Sequence, residues 1–150
     1  MALPRWVYRA LWTLHRAGYA ISGGRLGLRA GADERLGTLR LTTTGRTSGR
    51  ERSVMLFYLP HGSGYAVVAS NAGAAQAPAW WLNLQAHPQA TLDLPDGSTR
   101  VRARVAEPQE RAALWARFAE QQASYERYAA SAEREIPIVI LEALPEEADA

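Results

Sequence analysis

Cysteine is absent from this chain of 150 residues, which excludes disulfides, cysteine-ligated zinc or iron–sulfur clusters and thiol catalysis. Lysine is absent as well. All seventeen basic residues are arginine, a pattern that GC-rich coding produces and to which we attach no chemistry. Histidine is scarce, and His15, His61 and His87 are scattered without metal-ligand spacing, so no metal is expected. Neither G-x-x-x-x-G-K-[ST] nor a G-x-G-x-x-G opening a helix occurs, which disfavours a P-loop and a Rossmann turn. No defensible Ser–His–Asp spacing is present, and no close carboxylate pair lies outside the exposed C-terminal regions. Long apolar runs are missing too. The stretch Leu3 to Tyr19 is interrupted by Arg5, Arg9, His15 and Arg16, so it is neither a secretory signal nor a bilayer span, and a cytoplasmic protein is expected.

What is present begins with enough apolar material, 47% of residues, for one domain with a real core. The charge is uneven. Residues 1–52 hold ten arginines against three acids, whereas residues 53–150 hold seven against twelve. A cationic front third suits nucleic acid, anionic lipid or one anionic cofactor. A formal net charge of +2 and the lack of a recognisable motif argue against nucleic acid. The stretch Leu41 to Ser53, LTTTGRTSGRERS, concentrates this charge. Gly45 and Gly49 permit positive φ and close backbone approach, and Thr42, Thr43, Thr44, Thr47 and Ser48 offer short donors. Arg46, Arg50 and Arg52 add fork-shaped cations matched to phosphate or carboxylate. The composition fits two readings, an ordinary solvated hairpin and a site for an anionic group.

Periodicity sets out the rest. Leu3, Trp6, Val7, Ala10, Leu11 and Leu14 recur at helical spacing, giving an amphipathic N-terminal helix suited to packing on protein, its own domain or a dimer partner, or to lying on the inner face of a membrane. Residues 21–37 form a glycine-rich joint. Strands are expected over 38–44, 52–59, 65–70, 90–94, 99–106 and 136–143, with a short helix over 78–87 and a single longer one over 107–128. Pro137 places the last strand near an edge or at a strand start. Arg100, Arg102 and Arg104 alternate with Val101, Ala103 and Val105 and read as a solvated strand face. Six strands with few crossover helices favour a mainly β, α+β fold, an antiparallel six-stranded barrel with peripheral helices. The division is therefore 1–37 for helix and joint, 38–144 for the cofactor-binding barrel and 145–150 for a disordered tail. An apolar barrel with one anion-binding loop suits a redox cofactor with an aromatic ring and a charged tail, with the protein holding and orienting the ring. Trp80, Trp81, Tyr125 and Tyr128 are the aromatic candidates for the pocket, and core packing is the competing role of the Trp pair.

Three separated blocks, LTTTGRTSGRERS, then VVASNAG with PAWWLNLQAHP, then SYERYAASAEREIPIVILE, resemble the deazaflavin-dependent nitroreductase family of F420-dependent reductases, over roughly Leu39 to Glu142. The resemblance implies a split β-barrel of the FMN-binding type that holds reduced coenzyme F420, a deazaflavin with a phospholactyl oligoglutamate tail; split barrels also bind FMN, the alternative cofactor. By similarity the tail meets Arg46, Thr47, Ser48, Gly49, Arg50, Glu51 and Arg52, while Ser53, Val54, Met55, Ala69, Ser70, Asn71, Ala72, Gly73, Pro78, Trp81 and Asn83 surround the ring. Ser70, Tyr125 and Tyr128 match positions near ring and substrate, where a hydroxyl donates to developing oxyanion charge. Thr47 stands where the family commonly has lysine, Asn71 where a basic residue is frequent, and Phe57 and Gln122 where some nitroreducing members carry tyrosine. The resemblance thus implies a small electron acceptor of quinone type ahead of a nitroimidazole, turned over by a monomer or homodimer. A non-catalytic cofactor- or lipid-binding protein is the reading from another class.

Overall fold

A computed structural model describes residues 27–145. The expected amphipathic helix at Leu3 to Tyr19 and the tail beyond residue 145 lie outside the described residues. Six antiparallel strands close into one barrel: β1 (Gly37–Thr44), β2 (Glu51–His61), β3 (Gly64–Val68), β4 (Gln89–Leu94), β5 (Gly97–Val105) and β6 (Ile138–Ala143), in the order β1-β2-β3-β6-β5-β4. Three helices accompany them: α1 (Ala79–Ala86), α2 (Pro108–Gln121) and α3 (Ser124–Ser131). The expected antiparallel six-stranded barrel with peripheral helices is thus the fold. Among the described residues no helix is long and apolar enough to cross a membrane.

Strand alternation builds the interior. Leu39 and Leu41 from β1, Leu92 from β4, Val101 from β5 and Val139 and Leu141 from β6 point inward, and Trp80, Trp81 and Leu84 of α1 pack against them. β3 and β6 are buried on both faces because their outward residues, Ala66, Val68, Ile138 and Ile140, lie in a second core with Leu114, Phe118 and Tyr125. Burial on both faces is why IPIVILEA reads as a continuous apolar run instead of alternating. It also settles the position of β6. This strand is central, between β3 and β5, and Pro137 stands just before its first residue.

Two expectations need correction. The single helix over 107–128 is broken: Gln122 is extended (φ −153, ψ 108) between α2 and α3. In a continuous helix Tyr125 would stand about 10 Å along the axis from Phe118. The break folds it back so that the two rings meet edge to face at 5.5 Å. Arg104, expected on a solvated face, is instead the centre of an ion-pair cluster, with Nη1 and Nη2 at 2.6 and 2.9 Å from the two carboxylate oxygens of Glu110, Nε on Glu142, and His61 Nε2 2.7 Å from Glu110. The described part of the glycine-rich joint is also tied down. Arg29 and Thr38 exchange backbone hydrogen bonds of 3.1 and 2.9 Å, and the Gly31 N–H donates to the Tyr58 hydroxyl at 2.7 Å.

Candidate functional site

The barrel is incomplete along one line. β2 pairs with β1 over its length from Glu51 to Tyr58, but with β3 only from Leu59 to His61. Between Glu51 and Phe57 the other edge of β2 therefore has no strand partner among the described residues. A cleft of about 810 Å³ occupies this split, within the range of about 300–1,000 Å³ common for small-molecule and cofactor sites. Its walls are β2 with the preceding hairpin, the end of β3 at Val68 with Ser70, Asn71 and Ala72 that follow it, and the start of α1.

The hairpin is shaped by its own backbone. Gly45 N–H donates to Arg50 C=O (2.8 Å), Gly49 N–H to Gly45 C=O (2.9 Å), and Arg50 N–H to Ser48 Oγ (3.2 Å). Gly49 has φ +70, the left-handed conformation the sequence suggested. Gly45 instead serves close approach, since a Cβ there would meet Ser48 Oγ at 2.8 Å. From α1, the buried Asn83 reaches this hairpin. Its Oδ1 accepts from the Arg46 backbone N–H (3.1 Å) and guanidinium Nη1 (3.0 Å), and its Nδ2 donates to Thr43 Oγ1 (3.2 Å). One amide thus fixes the direction of one cation.

Along the other wall, the chain after β3 makes a left-handed turn. Asn71, Ala72 and Gly73 have φ of +47, +52 and +82, with Gly73 N–H bonded to Ser70 C=O and Ala74 N–H to Asn71 C=O at 3.0 and 3.1 Å. Two successive non-glycine residues in this region are costly, about 1 kcal/mol or more each, and such strain collects at functional sites.

Of the residues singled out from sequence, Thr43, Gly45, Arg46, Thr47, Ser48, Arg52, Ser53, Val54, Ser70, Asn71, Ala72, Pro78, Trp80 and Asn83 line the cleft together. The others do not. Gly49 and Arg50 are exposed on the hairpin, and Glu51 borders a separate polar cleft of about 200 Å³ with Thr42, Thr44 and Arg100. Met55 falls on the opposite face of β2 from Val54 and Leu56, as strand alternation requires. Ala69 is buried beneath the cleft, and Gly73 is turned against α3. Trp81 packs inside the barrel while Trp80 takes the cleft wall. Tyr125 lies in the second core against Trp115, Phe118 and Tyr128, where burial pushes its hydroxyl up to about 12. Tyr128, half-buried, backs the left-handed turn and is not part of the wall. Leu56, Val68 and Ala79 complete the lining. Helical spacing is the signal for Ala79, which stands four residues before Asn83.

The lining has a chemical gradient. Arg46, Thr47, Ser48 and Arg52 gather at the hairpin, and Leu56 lies about 13 Å further along β2, where Val54, Val68, Pro78 and Trp80 make the wall apolar. Such a cleft accepts an elongated molecule with an anionic end and a flat apolar end.

This barrel is of the split-barrel reductase class. Solved structures share its fold: an F420-H2-dependent reductase (FDR-A) aligns with TM-score 0.63 and 31% identity over 77% of this chain and all of that one. A chain described as a domain-swapped dimer aligns with TM-score 0.67 and 27% identity, covering 89% and 99%. The F420H(2)-dependent quinone reductase Rv1261c of Mycobacterium tuberculosis (strain H37Rv) is 34% identical over 94% of this chain and 98% of its own length. The F420H(2)-dependent quinone reductase family matches residues 12–143, and the chain belongs to that family of oxidoreductases.

Proposed function

We propose that this protein is an F420H2-dependent oxidoreductase that reduces a quinone-like acceptor, and that the split between β2 and β3 is its active site. The observation that carries the reading is the gradient of the cleft, cationic at the hairpin and apolar beyond it. Arg46 and Arg52, with the Thr47 and Ser48 hydroxyls, would hold the phosphate and carboxylates of the tail through charge-assisted hydrogen bonds. Val54, Leu56, Val68, Pro78 and Trp80 would enclose the ring, and the free edge of β2 offers backbone N–H and C=O groups to its polar rim. Reduced F420 supplies a hydride when bound. The chain's part is to orient the ring, to exclude water from it, and to present a proton donor to the acceptor. Ser70 lines the wall opposite the hairpin, where its hydroxyl would donate to an acceptor oxygen as negative charge develops. A nitro group is the second acceptor class with the same demand. The likeness to a domain-swapped dimer supports a homodimer, which light scattering tests. Membrane contact through the N-terminal helix would be tested by liposome co-sedimentation with and without residues 1–20.

The deciding experiment is titration of the purified protein with F420, read by cofactor fluorescence, followed by turnover of F420H2 with a quinone panel. Binding in the micromolar range is expected, and Arg46→Gln and Arg52→Gln should each weaken it about tenfold, roughly the loss of one charge-assisted hydrogen bond. No binding at tens of micromolar cofactor, or protein that purifies with a flavin spectrum, overturns the assignment.

A further inference from the structure

Arg134 lies between α3 and β6, outside the cleft and some sixty residues from the left-handed turn, yet its guanidinium is committed to that turn. Nη2 donates to Ala69 C=O and Ser70 C=O at 3.1 Å each and to Gln76 C=O at 3.4 Å, and Nε donates to Ala74 C=O at 3.2 Å. These carbonyls stand on both flanks of Asn71–Gly73. Only a planar, multi-donor cation can bridge them at once. The residue before it, Glu133, is itself left-handed with φ +55, a conformation uncommon for glutamate.

We propose that Arg134 is a positioning residue for the cofactor ring: by clamping the two flanks of the turn it holds Ser70, Asn71 and Ala72 in the shape that forms one wall of the cleft. The inference rests on the functional reading given above, but half of it concerns the empty protein. A turn with successive strained residues persists only where its surroundings over-determine it. Around this one, Asn71 Nδ2 donates to Gln76 C=O at 3.0 Å and Ser131 Oγ to Gly73 C=O at 3.2 Å. Each of these side chains reaches one carbonyl of the turn and its flanks, Ser131 Oγ sharing its hydrogen bond with Tyr128 C=O of its own helix at 3.3 Å, whereas Arg134 reaches four. Released from Arg134, Ala72 relaxes toward ordinary backbone angles and the Ser70 hydroxyl leaves the wall. The hairpin with Arg46 and Arg52 shares no hydrogen bond with Arg134, so the anionic end of the site stays intact. The clamp therefore governs the ring end of the cleft and not the tail end.

The test pairs Arg134→Gln with Arg134→Lys, the latter keeping the charge while losing the fork. In the cofactor-free protein, hydrogen exchange at the Gly73 and Ala74 amides should quicken at least tenfold in Arg134→Gln and less in Arg134→Lys. The Gly45 and Gly49 amides of the hairpin should be unchanged. Unchanged exchange at Gly73 and Ala74 in a folded variant overturns the clamp, whatever the cofactor. The second arm measures affinity for F420 and for the same deazaflavin and ribityl chain without its phospholactyl-glutamate tail. Arg134→Gln should weaken the tail-less ring tenfold or more, and Arg46→Gln should leave the ring alone. Arg134→Lys should recover part of the loss. Weakening of F420 alone by Arg134→Gln, with the tail-less ring unaffected, or weakening of neither ligand, refutes a ring-specific role. Wild-type protein that binds neither ligand refutes the F420 reading and with it the ring role, while the exchange arm still decides whether Arg134 clamps the turn.

Discussion

Asn83 Oδ1 accepts both the backbone N–H and the guanidinium Nη1 of Arg46, at 3.1 and 3.0 Å, so a buried amide on α1 sets the aim of a cation on the β1–β2 hairpin. Because Nδ2 donates to Thr43 Oγ1, which in turn bonds Arg52 C=O at 3.4 Å, strand, hairpin and helix share one polar linkage. Asn83→Ala should leave buried groups unpaired and lower stability by about 1–3 kcal/mol. Asn83→Asp keeps the acceptor for Arg46 and should cost less stability, yet it puts an anion beside the proposed site of the anionic tail and should weaken F420 more than Asn83→Ala does. Denaturant unfolding and cofactor titration of the two variants check this crossing. The same rank order in both measurements would count against it.

Gly73 and Gly49 share the left-handed conformation, but their surroundings differ. A Cβ on Gly49 meets nothing within 4 Å, whereas one on Gly73 runs into Ser131 Oγ and comes within 3.0 Å of Tyr128 Cα. Gly49→Ala should therefore cost about 1 kcal/mol, the backbone term alone. Gly73→Ala should cost at least about 2 kcal/mol, with overpacking added, and should disturb the ring end of the cleft. Equal costs by chemical denaturation would contradict this account.

The Glu110 carboxyl is held well below the usual carboxylate range, chiefly by hydrogen bonds from Arg104 and then from His61. Its folded value is depressed, so its contribution to stability is fully present above its ordinary value near 4.5 and fades as pH falls below that toward the folded value. Glu110→Gln should lower stability by about 1 kcal/mol at neutral pH. The gap between wild type and variant should stay constant down to about pH 4.5 and narrow below it. Thermal melts of both proteins across pH 3–7 measure this, and a gap that widens in acid has the wrong sign.

Ser70 and Tyr125 should separate cleanly as candidate donors. Tyr125 is 5% exposed and faces the second core, so Tyr125→Phe should leave turnover within about twofold and change mainly packing. Ser70→Ala removes the hydroxyl proposed as donor and should lower kcat by about tenfold or more, in keeping with loss of one donor to developing charge. Steady-state kinetics with F420H2 and one quinone decide, and a larger loss for Tyr125→Phe would reverse the assignment.

The parts legible in the sequence are those with local signals. Alternation in GTLRLTTT and STRVRARV marks β1 and β5, and GRTSGRER announces a cationic turn before any fold is known. The unbroken apolar character of IPIVIL shows a strand buried on both faces, although not that β6 is central, because its covering by α2 and α3 depends on distant residues. The break at Gln122 was hidden, since Phe118 and Tyr125 keep helical spacing across it and only their ring contact requires the turn. Side-chain direction was equally hidden: Trp80 and Trp81 are adjacent letters, both buried in the core, and the rotation of α1 brings Trp80, not Trp81, to the cleft wall as well. The link from Arg134 to Ala69, Ser70, Ala74 and Gln76 joins segments far apart in sequence, which no periodicity can reveal.

The open edge of β2 also bears on how the protein behaves in storage and in the cell. A strand edge without a partner is a template on which another chain can add, and this one, unpaired among the described residues, carries Phe57 with 46% of its surface exposed. Its charged neighbours Glu51 and Arg52 oppose such addition by electrostatic mismatch. A ligand seated against the edge takes up the backbone groups that a second chain would use. Occupancy of the cleft and colloidal stability are thus coupled, and the empty protein should be the form that self-associates first as concentration rises.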